Sequence, residues 1–421
     1  MINFDKQYKK SGIPWIGDVP VDWEATKLKN IAKLVNGYAF KSDLYSENGV
    51  FIVRITNVDD EKLNTNSPVY YPFNRLKEFR GNLLKENDIL MTLTGNVGLV
   101  GIVDKQYPKA ALNQRVGCIR TKKVSNKFLF YLFATDVFRK HAILNADGTA
   151  QLNLSTDWLM SNKLFVPQLS KQQQIVNYLD KKVGIIDKLI ANINQQIEDL
   201  KNGKNSIVRE YLKQKLKGHT VRVQDVADMK KGPFGSSLKK EMFVQESEES
   251  FKVYEQQHAI EGSSTIGEYY IDKSKYIELY GFSVKPKDII ISCAGTIGKL
   301  FVLPQRIKPG IINQALMRVR IKDWKITNAF FSYIWNFIIM DEVVKYCNGS
   351  AIKNIPPFSI LNKIKFILPS LASQEHITTI LDDKTEFFNK LIQIKQQKIT
   401  ELKEYKKSLI YECVTGKKEV L

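Results

Sequence analysis

The strongest constraint in this 421-residue sequence is that it contains itself twice. Segments about 200 residues apart match in the same order along nearly the whole chain, which marks a duplicated unit. DILMTLTGNVGLVGIV from Asp88 aligns with DIIISCAGTIGKLFVL from Asp288, pairing Gly95 with Gly295, Gly98 with Gly298, and Asn113-Gln114 with Asn313-Gln314. Further on the offset becomes 202: Val166-Pro167 matches Leu368-Pro369, and QQQIVNYLD from Gln172 matches QEHITTILD from Gln374. A drift of two residues is what small loop insertions produce, and chance similarity does not preserve order. With 43% apolar residues, each copy has enough material for its own core.

Each copy opens with a mixed stretch of short β-branched runs between glycine and proline punctuation and closes with a long segment lacking proline. The first such segment runs from about Lys171 to Lys217, the second from about Ser373 to Val414. Apolar residues recur in them at intervals of three and four, which defines a helix seam. Ile186, Ile190, Ile193, Ile197, Leu200 and Ile207 lie on the first seam; Phe388, Ile392, Ile399, Leu402 and Leu409 lie on the second. Lysine interrupts both at equivalent places, 182 with 384 and 204 with 406. A rod of this length measures roughly 70 Å, beyond the usual globular helix. Gly203 is expected to weaken or kink the first helix locally. The predicted fold is α+β: two similar mixed α/β domains joined by two long helices that pair as an antiparallel coiled coil, with an internal pseudo-two-fold repeat. The expected boundaries are a first domain at 1–168, a first helix at 169–218, a second domain at 219–370, and a second helix with its tail at 371–421.

Lys and Arg outnumber Asp and Glu by 63 to 44, a net charge of +19 that predicts a polyanionic partner, nucleic acid first and an acidic membrane surface second. The first helix accounts for +5 and the second for none, so +14 falls on the rest of the chain, mostly the two domains. Cys118, Cys293, Cys347 and Cys413 are far apart, with no pair at zinc or redox spacing, and a reducing cytoplasm fits them. The opening MINFDKQYKK has no apolar core of a signal peptide, and the apolar stretch around Phe330 to Met340 is broken by Ser332 and Asn336. Export and membrane insertion are not expected.

The sequence resembles the specificity (S) subunits of type I restriction-modification systems. The resemblance rests on SGIPWIGDVPVDWEATKLKNIA from Ser11, on the paired Asp-Ile blocks with their Gly-x-x-Gly turns, and on the P-x-L-x-x-Q-x-x-I opening of each long helix. SLIYECVTGK from Ser408 is similar to the family's usual second-helix end, whereas the first copy departs from that form with SIVREYLKQKLKG. The resemblance implies two target recognition domains, each reading one half of a bipartite site on double-stranded DNA, and no catalysis by the chain itself. It also implies two methyltransferase (M) subunits acting on adenine with S-adenosylmethionine, and restriction/translocase (R) subunits using ATP and Mg. Those cofactors would sit on the partners. The repeat agrees independently: an antiparallel helix pair within one chain gives an approximate two-fold axis, matching the pseudosymmetry of duplex DNA.

Arg and Asn can make the bidentate base-edge contacts that carry sequence information, while lysines mostly meet phosphate. In the first domain the expected DNA-binding residues are Tyr38, Lys41, Arg54, Asn74, Arg75, Lys77, Arg80 and Arg115, with Tyr70 and Tyr71 interleaved. In the second they are Lys230, Lys231, Ser236, Ser237, Lys239, Lys240, Gln256, Gln257, Lys273, Lys275 and Lys299. Thr94 and Asn96 in one glycine turn and Thr296 in the other complete the set; these turns either present backbone N–H groups to phosphate or are tight hairpin bends. Asn113-Gln114 and Asn313-Gln314 recur in both copies, which points to a shared structural or backbone-contact role, because residues that specify different bases should differ.

An enzyme is the competing class. Ile355-Pro356-Pro357-Phe358 approaches the motif of amino-methyltransferases, but isoleucine stands where a polar group must hold the target amine, so a structural turn is expected. No Gly-x-Gly element for a methyl donor appears, Gly295 to Lys299 lacks the spacing of a P-loop, and His141, His219, His258 and His376 have no metal or nucleophile spacing. No metal site is expected. A scaffold unrelated to DNA modification is the third class, separated from the first by whether a methyltransferase subunit co-purifies.

Overall fold

A computed structural model describes residues 7–59, 62–105, 110–149, 151–346 and 354–420. The chain divides into two units: residues 1–194 with 396–421, and residues 195–395. Each contains one copy's globular part and portions of both long helices, Leu169–Lys215 and Leu371–Val414.

In the first unit, four antiparallel strands lie in the order Val100–Ile102, Ile89–Thr92, Val116–Thr121, Ala32–Asn36. Beside them is a three-stranded sheet in which Ala110–Leu112 runs parallel to Val50–Val53, with Ala111 opposite Ile52, and Tyr70–Tyr71 pairs antiparallel on the other edge. The second unit repeats the plan. Leu300–Val302, Ile289–Ser292, Leu316–Ile321 and Ala227–Lys231 form the antiparallel sheet, and Gly310–Ile312 runs parallel to Phe251–Tyr254 in the companion sheet. The central strands Ile89–Thr92 and Ile289–Ser292 are buried along their whole length and read as near-continuous apolar runs, whereas the edge strands Ala32–Asn36 and Ala227–Lys231 carry exposed polar residues. An antiparallel ribbon closes each copy, Glu24–Lys27 with Lys163–Val166 and His219–Arg222 with Lys365–Leu368.

The duplication extends to individual bonds. The carboxylate of Asp88 accepts from Arg120 Nε at 2.8 Å and Nη2 at 2.7 Å, and Asp288 accepts from Arg320 Nε at 2.9 Å and Nη2 at 3.0 Å. Gln172 accepts from Ser125 N and donates to Pro167 O, just as Gln374 accepts from Thr327 N and donates to Pro369 O. The glutamine of each helix opening therefore pins the helix to the strand and helix that precede it, satisfying backbone groups that burial would otherwise leave unpaired. Tyr131 donates to Asp180 and Tyr333 to Asp382, fastening the aromatic helix of each copy to its long helix.

The helices are antiparallel within each unit. In the first, Lys171 reaches Val420 O and Asp187 meets Lys406 at 3.0 Å; in the second, Gln196 meets Lys395 at 2.6 Å and Lys204 meets Asn389 at 3.0 Å. In each pair of contacts one position rises as the other falls. Ile186, Ile197 and Leu409 are buried, and Ile190, Ile193, Leu200, Phe388, Ile392, Ile399 and Leu402 are half-buried. Two expectations are corrected. Ile207 is exposed, and Val208 and Leu212 take the buried places, because this part of the helix faces the second unit's own core with Val223, Phe330 and Ile377. The helix also runs unbroken through Gly203, where the side chain of Phe388 fills the space beside the glycine. Of the repeated lysines, 182 and 384 are exposed, whereas 204 and 406 are half-buried and bridge the two helices.

Candidate nucleic-acid interface

The glycine turns bear on the site first. Gly95, Gly98, Gly295 and Gly298 all have positive φ, between 62° and 79°, a conformation that favours glycine. In the first turn Gly95 N donates to Leu152 O, Val97 N to Gly95 O and Gly98 N to Thr92 O. These groups are committed internally, so the turn is a tight bend. Thr92 and Ser292 hydroxyls accept from Leu99 N and Lys299 N at equivalent positions. Thr94 donates to Asn153 and Asn96 accepts from Arg139, while Thr296 presents its carbonyl to Gln256 Nε2 at 3.4 Å. The Ile355-Pro-Pro-Phe358 segment docks beside the second turn, with Ile355 N on Cys293 O, as Leu154 N docks on Leu93 O in the first copy. It is structural.

Asn113 and Asn313 have the same local role. Their side-chain oxygens accept from Arg115 N and Ala315 N, and Gly37 and Gly232 press their backbones against the two asparagine carbonyls.

In the first unit, Tyr38 donates to Glu78 at 3.2 Å, and Arg75 lies 3.5 Å from Glu78 and reaches the Tyr71 hydroxyl at 3.4 Å. Partial burial, then the Glu78 bond, holds the Tyr38 phenol above its ordinary range; the Tyr71 bond, then Glu78, raises the Arg75 guanidinium. Tyr71 itself is buried, and its hydroxyl is met by Arg75. Lys41, Asn74, Lys77, Arg80 and Arg115 are exposed and available to a ligand, and Tyr70 is half-buried. Arg54 differs: Nη2 donates to Ser67 O and Nε is buried, so part of this guanidinium is spent on its own loop.

In the second unit, Gln256 and Gln257 open a short helix after the strand Phe251–Tyr254, the place taken in the first unit by Ile55 and Thr56. The first helical turn is closed in both copies by the residue at its third position, Asn57 Oδ1 on Arg54 N and His258 Nδ1 on Glu255 N. The scaffold is thus constant while the residues it presents differ. Glu255, Gln256 and Gln257 line an open cavity of about 570 Å³ with Gly267, Tyr269 and Asn313. Burial raises the Glu255 carboxyl and lowers the buried His258 imidazole. Lys231, Ser236, Lys239, Lys240, Lys273 and Lys299 are exposed, Ser237 and Lys275 are half-buried, and Lys275 is paired with Glu278 at 2.8 Å. Lys230 lies over the Phe282 ring at 4.8 Å. Glu255 and Tyr269, which line the open cavity, and the exposed Phe234 were not among the residues expected from the sequence. Tyr269 stacks on Phe243 while remaining 39% exposed, and Phe234 is 87% exposed; the Gly-Pro-Phe-Gly spelling between lysine pairs was the available signal for the latter.

Among the described residues, no group of three or more His, Cys, Asp or Glu side chains could hold a metal ion. Cys347 lies outside the described residues; Cys118, Cys293 and Cys413 are buried free thiols. No helix among the described residues is long and apolar enough to cross a membrane.

Comparison with known proteins places this geometry. Residues 20–199 and 218–404 match the type I restriction modification DNA specificity domain, one match per copy. The putative type I restriction enzyme MjaX specificity subunit of Methanocaldococcus jannaschii is 24% identical over 436 aligned positions, covering 98% of this chain and 97% of that protein. The MjaVIII specificity subunit of the same organism is 31% identical over 218 residues, a match spanning half of each protein. A solved structure from work on complex assembly and conformational transition of the type I R-M system superposes with a TM-score of 0.64 at 14% identity, covering 94% of this chain and 98% of that one. Two matched copies of one domain, on a duplicated scaffold that repeats even its buried ion pair, show that the chain belongs to the type I restriction modification DNA specificity domain family.

Proposed function

We propose that the chain is the DNA-reading subunit of a type I restriction-modification complex, in which each unit reads one half of an asymmetric, bipartite site on double-stranded DNA. The observation that carries this reading is the repeat itself. Two copies hold the same four-stranded antiparallel sheet, turns and ion pair, yet offer different side chains at equivalent exposed positions, Thr56 against Gln257 being the clearest case. A constant frame with variable contacts is what reading two different half-sites requires.

The chain's own part is binding and positioning. Exposed lysines such as Lys41, Lys77, Lys239 and Lys240 neutralise phosphates and set register. Arg75, Asn74, Arg115, Gln256 and Gln257 have the donor and acceptor geometry to distinguish base edges. No chemistry is assigned to this chain. S-adenosylmethionine would be held by two methyltransferase subunits acting on adenine, and ATP and Mg by restriction/translocase subunits, all in the cytoplasm with the DNA. Co-expression with a type I methyltransferase subunit from the same genome, followed by single-molecule sequencing of methylated adenines, tests the reading. A split, asymmetric methylated motif is expected; a stable complex without methylation, or no complex, counts against it.

A further inference from the structure

We propose that Phe234 is an aromatic wedge that enters the base stack of the second half-site, an inference that rests on the DNA-reading role proposed above. The side chain is 87% exposed, the most open large apolar side chain among the described residues. Its loop is held stiffly. Gly232 N donates to Leu316 O at 2.9 Å while the glycine backbone presses against Asn313 O. Pro233 is buried and fixes its own φ; Ser237 N closes back on Phe234 O at 2.9 Å, and Leu238 is buried in the core behind. The ring therefore stands on a preformed loop, which lowers the ordering needed when it binds.

The surroundings say what covers it. Residues 229–240 carry four lysines and no carboxylate, and Lys231, Lys239 and Lys240 are exposed. An apolar protein partner would gain nothing from such a run of cations, whereas a polyanion with stacked apolar faces suits both the lysines and the phenyl group. The loop also abuts Asn313, which lines the cavity of Gln256 and Gln257, so wedge and base-edge candidates share one segment. The first unit supplies an internal contrast. Gly37 presses on Asn113 O as Gly232 does on Asn313 O, but Ala39 holds the place of Phe234, and Tyr38 and Phe40 pack inward on Phe79. Unstacking by a residue at this place in the fold should therefore be confined to the second half-site.

The test uses the full chain in complex with its methyltransferase subunit and a duplex carrying the mapped site. 2-Aminopurine is placed at successive positions away from the methylated adenine, one probe per duplex. Binding should raise fluorescence at one step of the second half-site and at none in the first. Phe234→Ala should abolish that rise and weaken binding about ten-fold or more, with Phe234→Trp restoring both, in line with the contribution of base–aromatic stacking. A nuclease footprint of the same complex reads protection of each half-site, and equal fluorescence and affinity for wild type and Phe234→Ala with both half-sites protected would overturn the wedge and leave the DNA-reading role intact. Loss of protection over both half-sites with the wild-type complex would instead overturn that role.

Discussion

Removing the buried carboxylate of the first copy, by Asp88→Ala, tests whether the repeated ion pair supports its unit. The Asp88 side chain is 4% exposed and Arg120 16% exposed, and the substitution removes bonds of 2.7 and 2.8 Å to the guanidinium and 2.8 Å to Lys85 N. Breaking a buried pair by deleting one partner costs roughly 3–5 kcal/mol. Arg120 keeps its bond to Leu83 O and some access to water, which favours the lower end, about 3 kcal/mol. For a unit of about 220 residues, an unfolding entropy of about 2.1 cal/mol/K per residue converts this to a fall of about 6 °C in Tm. Calorimetry measures the shift, and hydrogen exchange locates it: amides of Ile89–Thr92 should lose protection while those of Ile289–Ser292 keep theirs. Asp88→Leu combined with Arg120→Met should recover most of the loss, because an apolar pair replaces a charge left alone. A shift under about 2 °C, or no recovery in the double variant, refutes the reasoning.

Three further outcomes follow from particular contacts. Gly203→Ala and Gly184→Ala should each stabilise the first long helix by roughly 0.5–1 kcal/mol, since an added methyl meets Phe388 at an ordinary 3.7 Å in one case and open space in the other; chemical denaturation reads the gain. Burial pushes the thiols of Cys293 and Cys413 up to about 12 and raises Cys118 as well, so all three stay protonated at pH 8 and should resist a thiol reagent until denaturant is added. Gln256→Ala should relax preference at one base position by about 1–3 kcal/mol, while Lys239→Ala should weaken binding to every sequence and reduce the slope of log K against log salt by about 1, both read by binding titrations at several salt concentrations.

The duplication, the long helices and their antiparallel pairing were legible because each is written as a period or an offset along the chain. The seam spacing identified Ile186, Ile197 and Leu409 among the buried residues. It failed at Ile207 because a three-and-four pattern names a face without naming what lies opposite, and there Val223 and Phe330 of the globular part join Ile377 and Leu381 of the second helix in one core with Val208 and Leu212. The parallel pairing of Val50–Val53 with Ala110–Leu112 was not legible, since short buried strands carry no mark of their partners. Residue type named Lys41 and Lys239 as DNA-binding candidates, and both are exposed. It could not separate Arg115, which is free at the surface, from Arg54, whose guanidinium is partly spent on Ser67. Phe234 escaped because a phenylalanine in sequence reads as core, and only the packing of Gly232 and Pro233 turns it outward.

The most direct measurement is a methylation map of the complex after residues 20–165 are exchanged for the first domain of another family member. The account predicts a motif changed in one half and identical in the other. A motif altered in both halves would contradict independent reading by the two copies.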